Sequence, residues 1–111
     1  MQAKVVDVKL LDVIDRGSNV IVLYSQIFEN GSKQIVRKNV KNLGGYYNCL
    51  NPKPIRSAEC LSIVYCGIIK TDVRMLFKII LTDGSAQLIQ LKEGSRECMK
   101  LLRICDINTV E

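Results

Sequence analysis

The sequence predicts an α+β protein, mainly antiparallel β, with about six strands in a curved sheet or small barrel and one C-terminal amphipathic helix. Three observations predict it. Apolar residues recur at every second position through most of the 111 residues, which is the period of a strand. Two polar–glycine dipeptides, Asn30-Gly31 and Asp83-Gly84, sit between paired apolar runs, where hairpin turns belong. Only the stretch after Ser95 changes to helical spacing.

The elements follow in order. "KVVDVKLLDVID" sets Val6, Val8 and Leu10 against Asp7 and Lys9, and "DRGSN" breaks that strand. "VIVLYSQIF" is rich in β-branched and aromatic residues, as a second strand should be. "ENGS" turns the chain and "KQIVRKNV" returns as a third strand. Gly44, Gly45, Pro52 and Pro54 argue against a long helix or a strand in the next segment. Regular pattern resumes at "ECLSIVYCGIIK", apolar on both faces, followed by a short turn at Thr71–Asp72. "VRMLFKIIL" places Val73, Met75, Phe77, Ile79 and Leu81 on one face; "TDGS" and "AQLIQLK" complete a second hairpin. In "GSRECMKLLRICDI", Ser95 is a helix cap. Cys98, Leu101, Leu102 and Cys105 form its apolar stripe, and Lys100 and Arg103 sit toward its end, where cations suit the dipole.

The chain is expected to be one domain, 1–111, with two half-repeats at 3–50 and 58–107. Val20–Val36 can be laid on Val73–Ile89 at a constant offset, with Val, Leu, Ile, Gly, Ser and Gln identical. Extending the alignment upstream sets Val8 against Leu61 and Leu10 against Ile63. Each unit would be three antiparallel strands and a helix. The first unit keeps at most a short helix around Asn39–Leu43. The alternative architecture is a barrel of the oligonucleotide/oligosaccharide-binding type. In topology alone, duplicated strand–strand–strand–helix units resemble single-stranded nucleic-acid binders of the PUR-repeat and Whirly type; none of their diagnostic motifs occurs here.

Charge is uneven along the chain. The net charge is +5, yet Lys33–Arg56 holds six of the sixteen basic residues and none of the eleven acidic ones. Without that segment the chain is nearly neutral, so the excess forms a patch. Clustered Lys and Arg suit phosphates, because each neutralised phosphate releases condensed counterions. Tyr46 and Tyr47 lie inside the segment as candidate stacking platforms for bases. The expected anionic-ligand or nucleic-acid site is therefore Lys33, Arg37, Lys38, Lys41, Tyr46, Tyr47, Lys53 and Arg56, extended by Arg74 and Lys78 on the fifth strand. The expected function is a small non-enzymatic binding protein for a phosphate-rich ligand, above all single-stranded nucleic acid. The alternative is an interaction or inhibitor module for an acidic protein partner.

No catalytic residue, metal site or cofactor is expected. The chain has no histidine, so neither a Ser–His–Asp nor a Cys–His arrangement can form. The five cysteines have no C-x-x-C spacing and read as buried thiols. No apolar run approaches the roughly 20 residues that span a bilayer, and the N-terminal stretch mixes Asp and Lys into its apolar residues. The expectation is an intracellular protein, cytoplasmic or nuclear, without membrane contact. Strands apolar on both faces need cover from a closed barrel or a second chain, which predicts a homodimer.

Overall fold

The computed structural model describes residues 3–44 and 55–109, with side chains through Cys105. Strands β1 (Val5–Arg16), β2 (Asn19–Phe28) and β3 (Lys33–Asn39) are followed by a single 3-10 turn, Val40–Asn42. Strands β4 (Ile55–Cys66), β5 (Asp72–Leu81) and β6 (Ala86–Lys92) come next, and helix α1 (Arg96–Thr109) completes the chain. The six antiparallel strands form two three-stranded sheets, ordered β1-β2-β3 and β4-β5-β6, and neither sheet closes into a barrel. The expected antiparallel α+β fold with curved sheets and a C-terminal helix is thus present, its six strands divided between two stacked meanders, and the barrel alternative does not form.

The stacking explains the strands that are apolar on both faces. Val8, Val20, Val22 and Tyr24 of the first sheet meet Val64, Cys66, Leu76 and Leu88 of the second. On the far side of the second sheet, Phe77, Ile79, Ile89 and Leu91 pack under Cys98, Leu101 and Cys105 of α1. β5 therefore lies in a middle layer, with Leu76 turned to one core and Phe77 to the other, both fully buried. The chain itself supplies the cover that the sequence argument sought from a barrel wall or a second copy. Three parallel layers of this kind bury both faces only of the central sheet.

The two hairpins share their irregularities. β1–β2 slips register between Val5 and Asp7 and again between Leu10 and Asp12. β4–β5 slips between Ile55 and Ser57 and between Cys60 and Ser62. The β2–β3 pairing runs from Ile21↔Asn39 to Ile27↔Lys33, and β5–β6 from Arg74↔Lys92 to Ile80↔Ala86, so the registers coincide residue for residue. The β1–β2 link is Gly17-Ser18, whereas β4–β5 is joined by residues 67–71. Those three extra residues shift the upstream correspondence: Val8 matches Ala58 and Leu10 matches Cys60, not Leu61 and Ile63.

The Asn-Gly and Asp-Gly turns are three-residue loops rather than two-residue ones. Gly31 N donates to Phe28 O and Phe28 N to Ser32 O, both at 2.9 Å; Gly84 N to Leu81 O and Leu81 N to Ser85 O repeat this at 2.9 Å. Gly31 and Gly84 take φ of 88° and 85°, the left-handed position that a type I turn with a bulge requires. Asn30 Oδ1 accepts from Ser32 N and Oγ, and Asp83 Oδ1 accepts from Ser85 N and Oγ, with matching distances of 2.9 and 2.6 Å.

Two boundaries differ from the sequence reading. β4 starts at Ile55 and stops at Cys66, so "GIIK" is a loop, with Ile68 and Ile69 mostly exposed. Lys70 fixes that loop: its Nζ donates to Asp15 Oδ1 and to Gly17 O at 2.6 Å, tying the β4–β5 link to the β1–β2 turn. α1 is 14 residues long and runs on to Thr109, so Lys100 and Arg103 fall mid-helix and its last turn holds no basic residue. Its start is as expected: Ser95 Oγ accepts from Cys98 N at 3.2 Å.

Leu76→Ala should lower unfolding free energy by about 2–5 kcal/mol, because it opens a cavity between two sheets that cannot both collapse onto it. Ile35→Ala, at a site 66% exposed, should change it by less than about 0.5 kcal/mol. Urea denaturation of both variants checks the pair; equal effects would contradict the layer assignment.

Candidate anionic-ligand interface

β3 is the outer strand of the first sheet and, among the described residues, bonds only to β2. Its alternation divides the basic side chains. Val36 opposes Tyr24 and packs against the inter-sheet core, so Gln34 and Lys38 share its face. Lys33, Ile35 and Arg37 lie on the opposite face, away from the second sheet. Lys33, Arg37 and Lys38 are all exposed. Charges on a free strand edge also discourage pairing with another chain, so their presence alone does not define a ligand site.

The 3-10 turn carries the next cation. Asn39 Oδ1 accepts from Lys41 N at 3.0 Å and caps the turn, while its Nδ2 donates to Asn19 Oδ1 at 3.3 Å. Val40 and Leu43 are buried in the inter-sheet core. Lys41 and Asn42 between them are exposed, so Lys41 is presented on a firmly seated turn. No acidic side chain pairs with Lys33, Arg37, Lys38 or Lys41 among the described residues.

Beside Lys41 the two sheets leave a small cavity of about 120 Å³, lined by Val40, Lys41, Cys66, Asp72, Arg74 and Gln90. Arg74 organises one wall. Its Nε donates to Asp72 Oδ1 at 2.9 Å, Nη2 to Asp72 Oδ2 at 3.1 Å, and Nη1 to Gln90 Oε1 at 3.1 Å. Gln90 N donates to Gly44 O at 3.1 Å, which ties the chain after the 3-10 turn to β6. The Arg74 hydrogen bonds hold the Asp72 carboxyl below its ordinary range against the opposing effect of burial, helped by the charges of Arg74, Lys92 and Lys41. Burial first, and the Asp72 charge second, push the Cys66 thiol up, so it stays protonated at neutral pH.

The remaining sequence-predicted residues divide. Arg74 joins Lys41 at the cavity. Lys78 does not: its Nζ lies 3.1 Å from Asp7 Oδ1 and 3.9 Å from Glu59 Oε1, so two carboxylates answer its charge. Arg56 is exposed at the start of β4. Tyr46, Tyr47 and Lys53 lie outside the described residues. The sequence reading missed Gln90. Its signal was present, since a glutamine shares the inward phase of Ala86 and Leu88 in β6, where an apolar residue is the norm. Asp72, assigned to a turn, is instead the first residue of β5 and the partner of Arg74. Among the described residues no group of three or more Cys, Asp or Glu could hold a metal ion, and no helix is long and apolar enough to cross a membrane.

No protein-family model matches the chain, and neither the curated proteins nor the solved structures contain a significant match to it.

The Arg74–Asp72 pair makes a pH prediction. A carboxyl held low in the fold stabilises it above its unfolded pKa, near the ordinary 3.8, and that contribution fades as pH falls through the lower folded value. The urea-midpoint lead of the native chain over Arg74→Gln should therefore be largest at neutral pH and narrow below pH 3.8. A lead that stays constant across that range would show that Asp72 is not the group affected.

Proposed function

We propose that this chain is a non-enzymatic binding protein that holds a phosphate-rich strand, single-stranded nucleic acid above all, along β3 and the 3-10 turn. One observation carries the reading: Lys33 and Arg37 on one face of β3, Lys38 on the other and Lys41 on the adjoining turn line one sheet edge without acidic partners among the described residues. Elsewhere Lys70, Arg74 and Lys78 each meet a carboxylate. Cations left unanswered along an extended edge are spread over the length of the strand and its turn, which suits a polymer of phosphates better than one compact charge. Lys33 and Arg37 flank Ile35 on one face, and an exposed apolar side chain between two cations also provides a surface on which a base can rest. An acidic protein segment is the second reading, favoured by the same Ile35 and by the outer edge of β3, which no other strand pairs among the described residues.

The test is fluorescence anisotropy with a short single-stranded oligonucleotide. Affinity should fall steeply between about 50 and 200 mM salt, with each lost phosphate contact flattening the log–log slope by about 0.7. The triple variant Arg37→Glu, Lys38→Glu, Lys41→Glu should bind at least tenfold more weakly, while Lys9→Glu, an exposed charge reversal on β1, should bind as the native chain does. Absence of binding to single- and double-stranded oligonucleotides at low salt would overturn the nucleic-acid reading and leave the acidic-segment reading.

A further inference from the structure

The cavity beside Lys41 differs from the open row of cations on β3. It is a partly open recess between the sheets, and its polar lining is mostly donors. Lys41 contributes an ammonium and Arg74 a guanidinium, and Gln90 contributes an amide that is only 7% exposed. The Gln90 Oε1 accepts from Arg74, but its Nε2 group donates to nothing among the described residues. A buried amide N–H without an acceptor keeps its full desolvation penalty, so its position calls for one. The cavity, about 120 Å³, is well under the roughly 300 Å³ at which pockets for whole small molecules begin. A base and sugar do not fit; one tetrahedral oxyanion does.

Asp72 sharpens the chemistry. Among the described residues it is the only carboxylate lining the cavity, and Arg74 already neutralises it through two hydrogen bonds. Its oxygens keep lone pairs beyond those two bonds. An oxyanion that still carries a proton can donate to Asp72 while its other oxygens accept from Lys41 and Gln90. Free phosphate meets that description, since its monohydrogen form keeps a P–OH at neutral pH; a phosphomonoester, with a second pKa of about 6, meets it only in its singly protonated form. Sulfate does not, because it has no proton to give.

We infer that the cavity formed by Lys41, Asp72, Arg74 and Gln90 is a binding site for a single phosphate group, either free phosphate or a phosphomonoester such as a strand terminus. The site adjoins the proposed β3 row through Lys41, and the strand-terminus case rests on that reading; the free-phosphate case does not. Lys41 then has two neighbours in function: it is the last cation of the row and the mouth of the cavity. Cys66, neutral on the cavity wall, adds no opposing charge.

The experiment is a titration of the full chain with inorganic phosphate, followed by amide chemical shifts in ¹H–¹⁵N spectra. Saturable shifts at Lys41, Cys66, Arg74 and Gln90 are expected, with sulfate binding several-fold more weakly. Lys41→Met, on an exposed side chain that leaves the core intact, should weaken phosphate binding about tenfold or more, the scale of one charge-assisted hydrogen bond. Gln90→Leu should weaken it with Lys41 still present, and Asp72→Asn should narrow the gap between phosphate and sulfate. Phosphate that shifts none of these amides, or that binds Lys41→Met as it binds the native chain, overturns the site. Sulfate binding as tightly as phosphate overturns the part given to Asp72.

A second arm separates the two sources and the two readings. Oligonucleotides with a 5′-phosphate, a 3′-phosphate or hydroxyl ends are compared. Tighter binding of one phosphorylated end, lost in Gln90→Leu, supports a strand terminus as occupant. Equal binding of all three with a saturable phosphate titration supports free phosphate as occupant. Equal binding with no phosphate titration overturns the cavity site and leaves the β3 row standing. A saturable titration with no oligonucleotide bound overturns the row and supports the site.

Discussion

The structure depends on the burial of the second sheet from both sides. β5 alternates Leu76 and Phe77 between two cores, and both are fully buried. Burying a side chain of that size contributes roughly 1.5–3 kcal/mol, so one strand anchors two interfaces at once. Everything peripheral follows from this. α1 has an apolar stripe because one face of the second sheet needs cover, and the first sheet covers the other. Val40 and Leu43 enter the same inter-sheet core, which seats the 3-10 turn and thereby the position of Lys41. The candidate cavity is the place where that inter-sheet packing gives way to polar groups.

The two meanders share a register, paired bulges and turn chemistry, yet their surroundings differ. Tyr24 and Phe77 occupy corresponding positions of β2 and β5. Phe77 faces a helix of 14 residues, whereas Tyr24 faces the second sheet beside a 3-10 turn of three. The second sheet thus takes, over the first, the place that α1 takes over the second. A full helix after β3 would compete with that sheet for the same face. The difference at the cavity has the same origin. Arg74, Asp72, Gln90 and Lys92 stand where the first unit has Ile21, Asn19, Arg37 and Asn39. An Asn–Asn hydrogen bond in one unit corresponds to a charged cluster in the other.

Much of the fold was legible because it is written in local periods. Six alternating segments, two polar–glycine turns and the helical spacing after Ser95 each depend on neighbours in sequence, and each reappears in the structure. Even the residual turn at Asn39–Leu43 was readable, since Asn is a capping residue and the apolar pair Val40 and Leu43 has one-turn spacing. What was not legible was long-range. Period-2 patterns do not say whether six strands make one sheet or two, because both arrangements bury the same residues. "GIIK" read as strand because exposed isoleucines defy the composition rule, and only the Lys70 contacts to Asp15 and Gly17 reveal a docked loop. The site divided along the same line. A charge-free-of-acid segment is visible in the sequence, but the pairing of Lys78 with Asp7, 71 positions away, is not.

Where the molecule answers its own charges is therefore the informative boundary. Lys70 braces two turns, Lys78 holds β1 to β5, and Arg74 braces Asp72 and Gln90. Each of these cations works inside the fold, and each sits where two elements meet. Lys33, Arg37, Lys38 and Lys41 instead follow one edge and join no second element through an ion pair among the described residues. Exposed ion pairs contribute little to stability, so a fold gains little by answering these cations and loses little by leaving them open. A cation that stability does not require remains available for a ligand. Lys41 alone belongs to both sets of neighbours: its side chain stands with the open row, yet its charge reaches Asp72 and Cys66 in the cavity. That double membership couples the edge to the interior, and it rests on Val40 and Leu43, the two apolar residues that keep the turn in place.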